Sequence, residues 1–113
     1  MLTDEQTLEI ANKYISYLQN KTNIKVLIYK EHIIRKEYGN IYFYDSKEYI
    51  ETGVFAHRLL GNAPFLVEKK TGRVVVFGTA YSDDYYIKAY ESGTLVPSQD
   101  RYWDHETESY SYK

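Results

Sequence analysis

Two runs of strand-forming residues around a charged tip dominate the middle of this sequence and limit what it can become. Phe65 to Val67 and Val74 to Phe77 flank the segment Glu68-Lys69-Lys70-Thr71-Gly72-Arg73. Branched and aromatic side chains suit a pleated, half-buried surface, and Gly72 after Thr71 takes the positive φ that closing a tight turn requires. In such a hairpin Glu68 and Arg73 fall at or near opposite cross-strand positions, where unlike charges help fix register. Pro64 cannot donate to a ladder, which places it at the first residue of the strand. Gly61-Asn62 ahead of it reads as a turn, and Gly78-Thr79 closes the second run. A chain built around this hairpin must contain antiparallel sheet.

The flanks supply helices. Thr3-Asp4-Glu5-Gln6 is a capping-box pattern, and Leu8, Ala11, Ile15 and Leu18 recur at helical spacing, which predicts a helix over Asp4 to Gln19. Three strands follow, Ile24 to Tyr29, His32 to Tyr38 and Ile41 to Tyr44, whose short connections predict a meander. Asp45 or Ser46 caps a short helix over Lys47 to Glu51, ended by Gly53, and Val54 to Leu60 reads equally as a helical turn or a packed loop. After the hairpin, Ser82 caps a further helix with Asp83 and Asp84 in its first turn and Gly93 as its stop. Tyr86, Ile87 and Tyr90 form its inward stripe. The expectation is an α+β fold in the order α-β-β-β-(short α)-β-β-α. An antiparallel sheet of about five strands carries the N-terminal and C-terminal helices. One domain is expected over residues 1–96. Residues 97–113 read as an irregular acidic, tyrosine-rich tail, ordered near Tyr102-Trp103 and frayed after about Ser109.

Composition excludes several kinds of chemistry. With no cysteine among 113 residues, there is no disulfide and no thiolate nucleophile or ligand. No apolar run approaches a membrane span, and the N-terminus reads as an acidic helix rather than a signal peptide, so the expected location is the cytoplasm, with no membrane partner. A net charge of −2 argues against nucleic acid as partner. His32, His57 and His105 lie far apart without metal-ligand spacing, and Gly78-Thr79 lacks the lysine and the glycines of a phosphate cradle. No catalytic residues, metal or cofactor are expected, and the chain reads as a binding protein rather than an enzyme.

Charge and aromatic residues divide unevenly along the chain. Residues 79–113 carry 3 Lys/Arg against 7 Asp/Glu and hold seven of the 14 tyrosines. Aromatic anchors inside a charged rim are what tight interfaces use. The candidate partner face is therefore Tyr81, Tyr85, Tyr102 and Trp103 among Asp83, Asp84, Asp100, Asp104, Glu106 and Glu108.

Gly61-Asn62-Ala63-Pro64-Phe65-Leu66-Val67, then Thr71-Gly72, Gly78-Thr79 and the helix Tyr85-Tyr86-Ile87 to Tyr90-Glu91, resembles the immunity protein 35 family. Tyr38-Gly39-Asn40-Ile41-Tyr42-Phe43-Tyr44-Asp45-Ser46 and Tyr49-Ile50-Glu51-Thr52-Gly53 resemble that family's middle segment, with Asn40 departing from the aromatic residue expected there. The likeness covers about residues 5 to 92. It implies a non-enzymatic cytoplasmic antidote that neutralises a cognate bacterial toxin by covering its active site. The motif residues themselves read as turn and strand formers, so none is carried over as a toxin contact. The other reading of the same composition is a general protein-interaction module or small holdase with a tyrosine-rich face. An exposed edge strand in either case permits a homodimer.

Overall fold

The computed structural model describes residues 1–112. Its elements run α1 (Asp4–Thr22), β1 (Val26–Ile28), a 3-10 turn (Lys30–His32), β2 (Ile34–Arg35), β3 (Gly39–Tyr42), β4 (Tyr44–Ser46) and α2 (Lys47–Thr52). A second 3-10 turn (Phe55–His57), β5 (Phe65–Glu68), β6 (Val74–Val76), α3 (Asp83–Ser92), β7 (Tyr102–Asp104) and β8 (Ser109–Ser111) follow. The fold is α+β, with every strand pairing antiparallel.

The helix ends form where the sequence placed their signals. The Thr3 hydroxyl accepts from the Gln6 amide at 3.1 Å while the Gln6 side chain accepts from the Thr3 amide at 2.9 Å, closing a capping box. α1 runs one turn past the expected Gln19, because Asn23 takes the left-handed conformation (φ 59°) and its N–H bonds to Gln19. Ser46 and Ser82 cap α2 and α3, and Gly53 and Gly93 end them.

The central hairpin forms as expected. β5 and β6 pair Phe65 with Val76 and Val67 with Val74. Gly72 sits at φ +78°, and the Glu68 amide donates to the Arg73 carbonyl at 2.9 Å. Pro64 lies one residue ahead of β5, where its carbonyl accepts from Phe77 at 3.0 Å. Gly78 is required for a second reason: a Cβ there would collide with the Tyr86 ring and hydroxyl.

Six strands in the order β2-β3-β5-β6-β7-β8 make the main sheet, and its two faces carry different cores. Tyr42, Phe65, Val67, Val74 and Trp103 pack under α1 against Ile10, Ala11, Tyr14 and Ile15. Ile41, Leu66, Val75 and Phe77 pack on the other face against Tyr86 and Ile87 of α3. The helices thus cover opposite faces. That is why the central strands read as unbroken apolar runs rather than alternating ones. Asn40, the departure from the family pattern, is buried beneath α1. Its Nδ2 donates to Asp4 Oδ1 at 3.0 Å and Thr7 Oγ1 at 3.2 Å, and Tyr42 donates to the same Thr7 oxygen at 2.8 Å.

Four expectations are corrected. The first three strands are not a meander: β1 pairs with β4 in a separate two-stranded sheet, leaving β2 to pair with β3. The expected strand Ile41 to Tyr44 is divided at Phe43, with Ile41 facing Ile34 and Leu66 while Tyr44 faces Ile28. The expected strand from His32 shortens to two residues because Lys30–His32 coils into a 3-10 turn. Finally, the segment after Pro97 is not irregular. β7 pairs with β6 and β8 with β7, extending the sheet by a hairpin whose turn holds Glu108 at φ 52°.

Candidate functional site

One face of the hairpin carries charge rather than apolar side chains beside its turn. Glu68, on β5, is only 8% exposed. Arg73 grips it with Nε–Oε1 at 2.8 Å and Nη2–Oε2 at 3.1 Å, while Tyr90 of α3 donates to Oε2 at 2.6 Å and Thr71 to Oε1 at 3.1 Å. The Arg73 guanidinium lies over the Tyr102 ring, 4.0 Å from its centre. Tyr38 packs its ring 5.1 Å from that of Tyr90 and donates to Glu91 at 2.7 Å.

These side chains floor a cleft of about 890 Å³, whose far wall is the β7–β8 turn with Asp104, His105 and Glu106. Burial pushes the Glu68 carboxyl up, but the hydrogen bonds from Arg73, Tyr90 and Thr71 outweigh it and hold it below the usual carboxylate range. Burial, then donation to a carboxylate, pushes both the Tyr90 and Tyr38 hydroxyls well above theirs. The cleft therefore presents protonated tyrosines and a carboxylate whose lone pairs are taken. Such a set is rigidly held and can position a partner.

The structure divides the sequence-predicted face. Tyr102, Asp104 and Glu106 join the cleft, Tyr102 as floor and the two acids at the rim. Asp104 Oδ1 accepts from the amides of Glu106 at 2.7 Å and Thr107 at 3.2 Å, which lowers its carboxyl from the ordinary value. Tyr81, Asp83, Asp84 and Tyr85 gather instead at the opposite, N-terminal end of α3. There the exposed Tyr81 and Tyr85 rings meet at 4.4 Å and Asp84 pairs with Lys88 at 3.0 Å. Asp100 and Glu108 are exposed on separate turns.

Trp103 does not belong to any surface. It is fully buried beneath α1, with Tyr14 and Tyr17 at 5.0 and 5.3 Å, so it is corrected from partner contact to core. The hairpin residues Gly61, Asn62, Pro64, Thr71, Gly72, Gly78 and Thr79 serve turns and strand ends; Asn62, for example, donates to the Tyr44 carbonyl at 2.7 Å. Sequence reasoning missed Glu68, Arg73, Tyr90 and Tyr38 as one constellation. The local signal is a carboxylate on an otherwise apolar strand, which by itself indicates only register.

Among the described residues no group of three or more His, Cys, Asp or Glu side chains is placed to hold a metal ion. His57 pairs with Glu48 at 3.0 Å and His32 packs edge-on against Tyr29. Among the described residues, no helix is long and apolar enough to cross a membrane.

The family model of immunity protein 35 matches residues 5–93, from the first turn of α1 to the glycine that ends α3. The chain belongs to the immunity protein 35 family. A curated relative, the uncharacterized protein YrhB of Escherichia coli (strain K12), is 40% identical over 53 residues, 47% of this chain and 56% of that protein. The match thus spans little more than half the relative's length. No solved structure matches. The family region contains the whole α3 face, including Tyr38, Glu68, Arg73 and Tyr90, whereas the β7–β8 wall of the cleft lies beyond it.

Proposed function

We propose that this chain is an immunity protein that binds a cognate bacterial toxin in the cytoplasm and neutralises it by covering the toxin's active site. Membership of the immunity protein 35 family over residues 5–93 carries this reading. The surface supports it. α3 is 10 residues long, about 15 Å at the helical rise. Its two ends therefore put the Tyr81–Tyr85 pair and the Glu68–Tyr102 cleft within one interface of ordinary size, roughly 800 Å² per partner. Acidic residues rim both ends, and they would steer a basic toxin surface and raise its on-rate.

Co-expression with a candidate toxin gene, sought beside this chain's own gene, tests the class: the chain alone restores growth and co-elutes with the toxin on gel filtration. A toxin that still kills and elutes apart refutes the reading. Asp83→Lys combined with Asp84→Lys reverses charge on exposed positions and is expected to slow association, most clearly at low salt. An unchanged on-rate moves the interface away from the N-terminal end of α3.

A further inference from the structure

The two-stranded sheet has its own cavity, separate from the cleft above. Val26 and Ile28 of β1 join the core under α1. Leu27 opposes Asp45, and the Tyr29 amide donates to Phe43 at 2.8 Å, which puts Leu27, Tyr29, Phe43 and Asp45 on the other face. That face opens into a cavity of about 370 Å³, lined by Tyr29, Phe43, Asp45, Tyr49, Arg58 and Asp83 among others. Strand, short helix, loop and α3 each contribute to its walls.

Asp45 gives the cavity its chemistry. It is 3% exposed, and its two oxygens are treated differently. Oδ1 accepts from the backbone amides of Ser46 at 2.7 Å and Leu59 at 2.8 Å, tying the 53–62 loop to β4. Oδ2 accepts no hydrogen bond among the described residues, and its nearest cation is Arg58 Nε at 4.0 Å. Arg58 is itself half-exposed and leans toward the Phe55 ring, 5.9 Å away. The carboxylate as a whole is largely desolvated, and a 4.0 Å contact to a half-exposed arginine offsets little of the cost of holding its charge there. The lining holds two carboxylates against one guanidinium, and its remaining residues are neutral and largely aromatic.

We propose that this cavity receives an arginine side chain of the protein partner, whose guanidinium hydrogen-bonds to Asp45 Oδ2 beneath Asp83 and stacks against the ring faces of Tyr29, Phe43 or Tyr49. A planar guanidinium suits both demands: its fork donates to a carboxylate while its faces lie on aromatic rings, which a lysine ammonium does less well. Arg58 is the cavity's resident competitor, and it turns outward when the partner's cation enters. At about 370 Å³ the cavity lies at the small end of ligand pockets and has room for one arginine side chain. This inference rests on the toxin-binding reading for its occupant, and Asp83 links it to the acidic end of α3.

The cavity is tested first without any toxin, by titrating N-acetyl-arginine amide into the isotope-labelled chain at constant ionic strength and following backbone amides. Saturable shifts are expected at Ser46 and Leu59, whose acceptor is Asp45. The citrulline analogue, isosteric and uncharged, is expected to give none, and the lysine analogue weaker ones. Asp45→Asn keeps an acceptor for both amides, removes the charge, and abolishes the response; Arg58→Gln removes the competitor and tightens binding several-fold. Absent or non-saturable shifts, equal shifts from citrulline or lysine, or an unaltered response in Asp45→Asn overturn the proposal. With the toxin in hand, Asp45→Asn is expected to weaken binding roughly tenfold or more, the loss typical when one half of a desolvated charge pair is neutralised. If that variant binds as tightly as the natural chain, the arginine pocket is refuted and the immunity reading stands. If the natural chain binds no toxin at all, the immunity reading falls, and the amide titration still decides the pocket.

Discussion

Replacing Glu68 with Gln isolates what the buried ion pair contributes, because the amide keeps the shape and one acceptor while removing the charge. Arg73 would then lose both charge-assisted contacts, at 2.8 and 3.1 Å, and Tyr90 its short bond at 2.6 Å. Hydrogen bonds to a charged group contribute about 1.5–3 kcal/mol each, and breaking a fully buried pair costs about 3–5 kcal/mol. Arg73, however, is 39% exposed, so water recovers part of its solvation and the expected loss is nearer ~2 kcal/mol. With a urea dependence of roughly 1–3 kcal/mol per molar for a domain of this size, the midpoint falls by about 1 M. The sign with pH follows from the depressed carboxyl. The contribution is fully present above the ordinary glutamate value of 4.5 and is lost as pH falls through the lower folded-state value. Urea melts at neutral pH and at progressively lower pH should show the natural chain and Glu68→Gln separated at first and converging in acid. Coincident midpoints at neutral pH, or a separation that does not shrink in acid, would refute the view that this carboxylate is held ionised by its neighbours.

Gly72→Val forces a β-branched residue to φ +78° and drives its Cβ to 2.8 Å from Ile10 Cδ1, so a loss of about 2 kcal/mol or more is expected in thermal unfolding, against none if the turn tolerates the residue. Trp103→Ala, in the hairpin outside the family match, should cost about 3–5 kcal/mol as a core truncation; a Tm close to that of the natural chain would mean the indole is not packed beneath α1. Deleting residues 98–113 removes the same indole, so reduced toxin binding by that variant reports lost folding rather than a lost contact.

Legibility in the sequence followed the range of the signal. α1, α3 and the central hairpin were readable because caps, glycine stops and apolar runs act within a few residues. β7 and β8 were not. Each is three residues long, only the Trp103 side chain between them is fully buried, and their turn uses Glu108 rather than glycine at positive φ. The swap of β1 onto β4 was equally hidden, since nothing local to Phe43 says that the chain changes sheets there. At the candidate site, helical spacing placed Tyr90 on the buried stripe of α3. It could not say that the hydroxyl ends on Glu68, which is 22 positions earlier in the chain. Asp45 was legible only as a helix cap; its burial comes from the 53–62 loop folding back over it.

One strand joins the stability of the fold to the shape of its surface. In β7, Trp103 points under α1 while Tyr102 on the opposite face carries the Arg73 guanidinium. Neither side chain can change freely: one fills the core and the other floors the cleft. The turn that follows is under no such constraint, because Asp104, Glu106 and Glu108 are exposed and Asp104 is tied only to the turn's own backbone. Charge on that turn can be altered without disturbing Trp103, the Glu68–Arg73 pair or the family-matched scaffold beneath them. A binding protein that must recognise one toxin among related ones needs such a separation between the residues that hold the fold and those that select the partner. On the proposed toxin-binding reading, the β7–β8 turn would provide it at one end of α3, and the Asp45 cavity, whose carboxylate also anchors a loop, would provide a fixed point of attachment at the other.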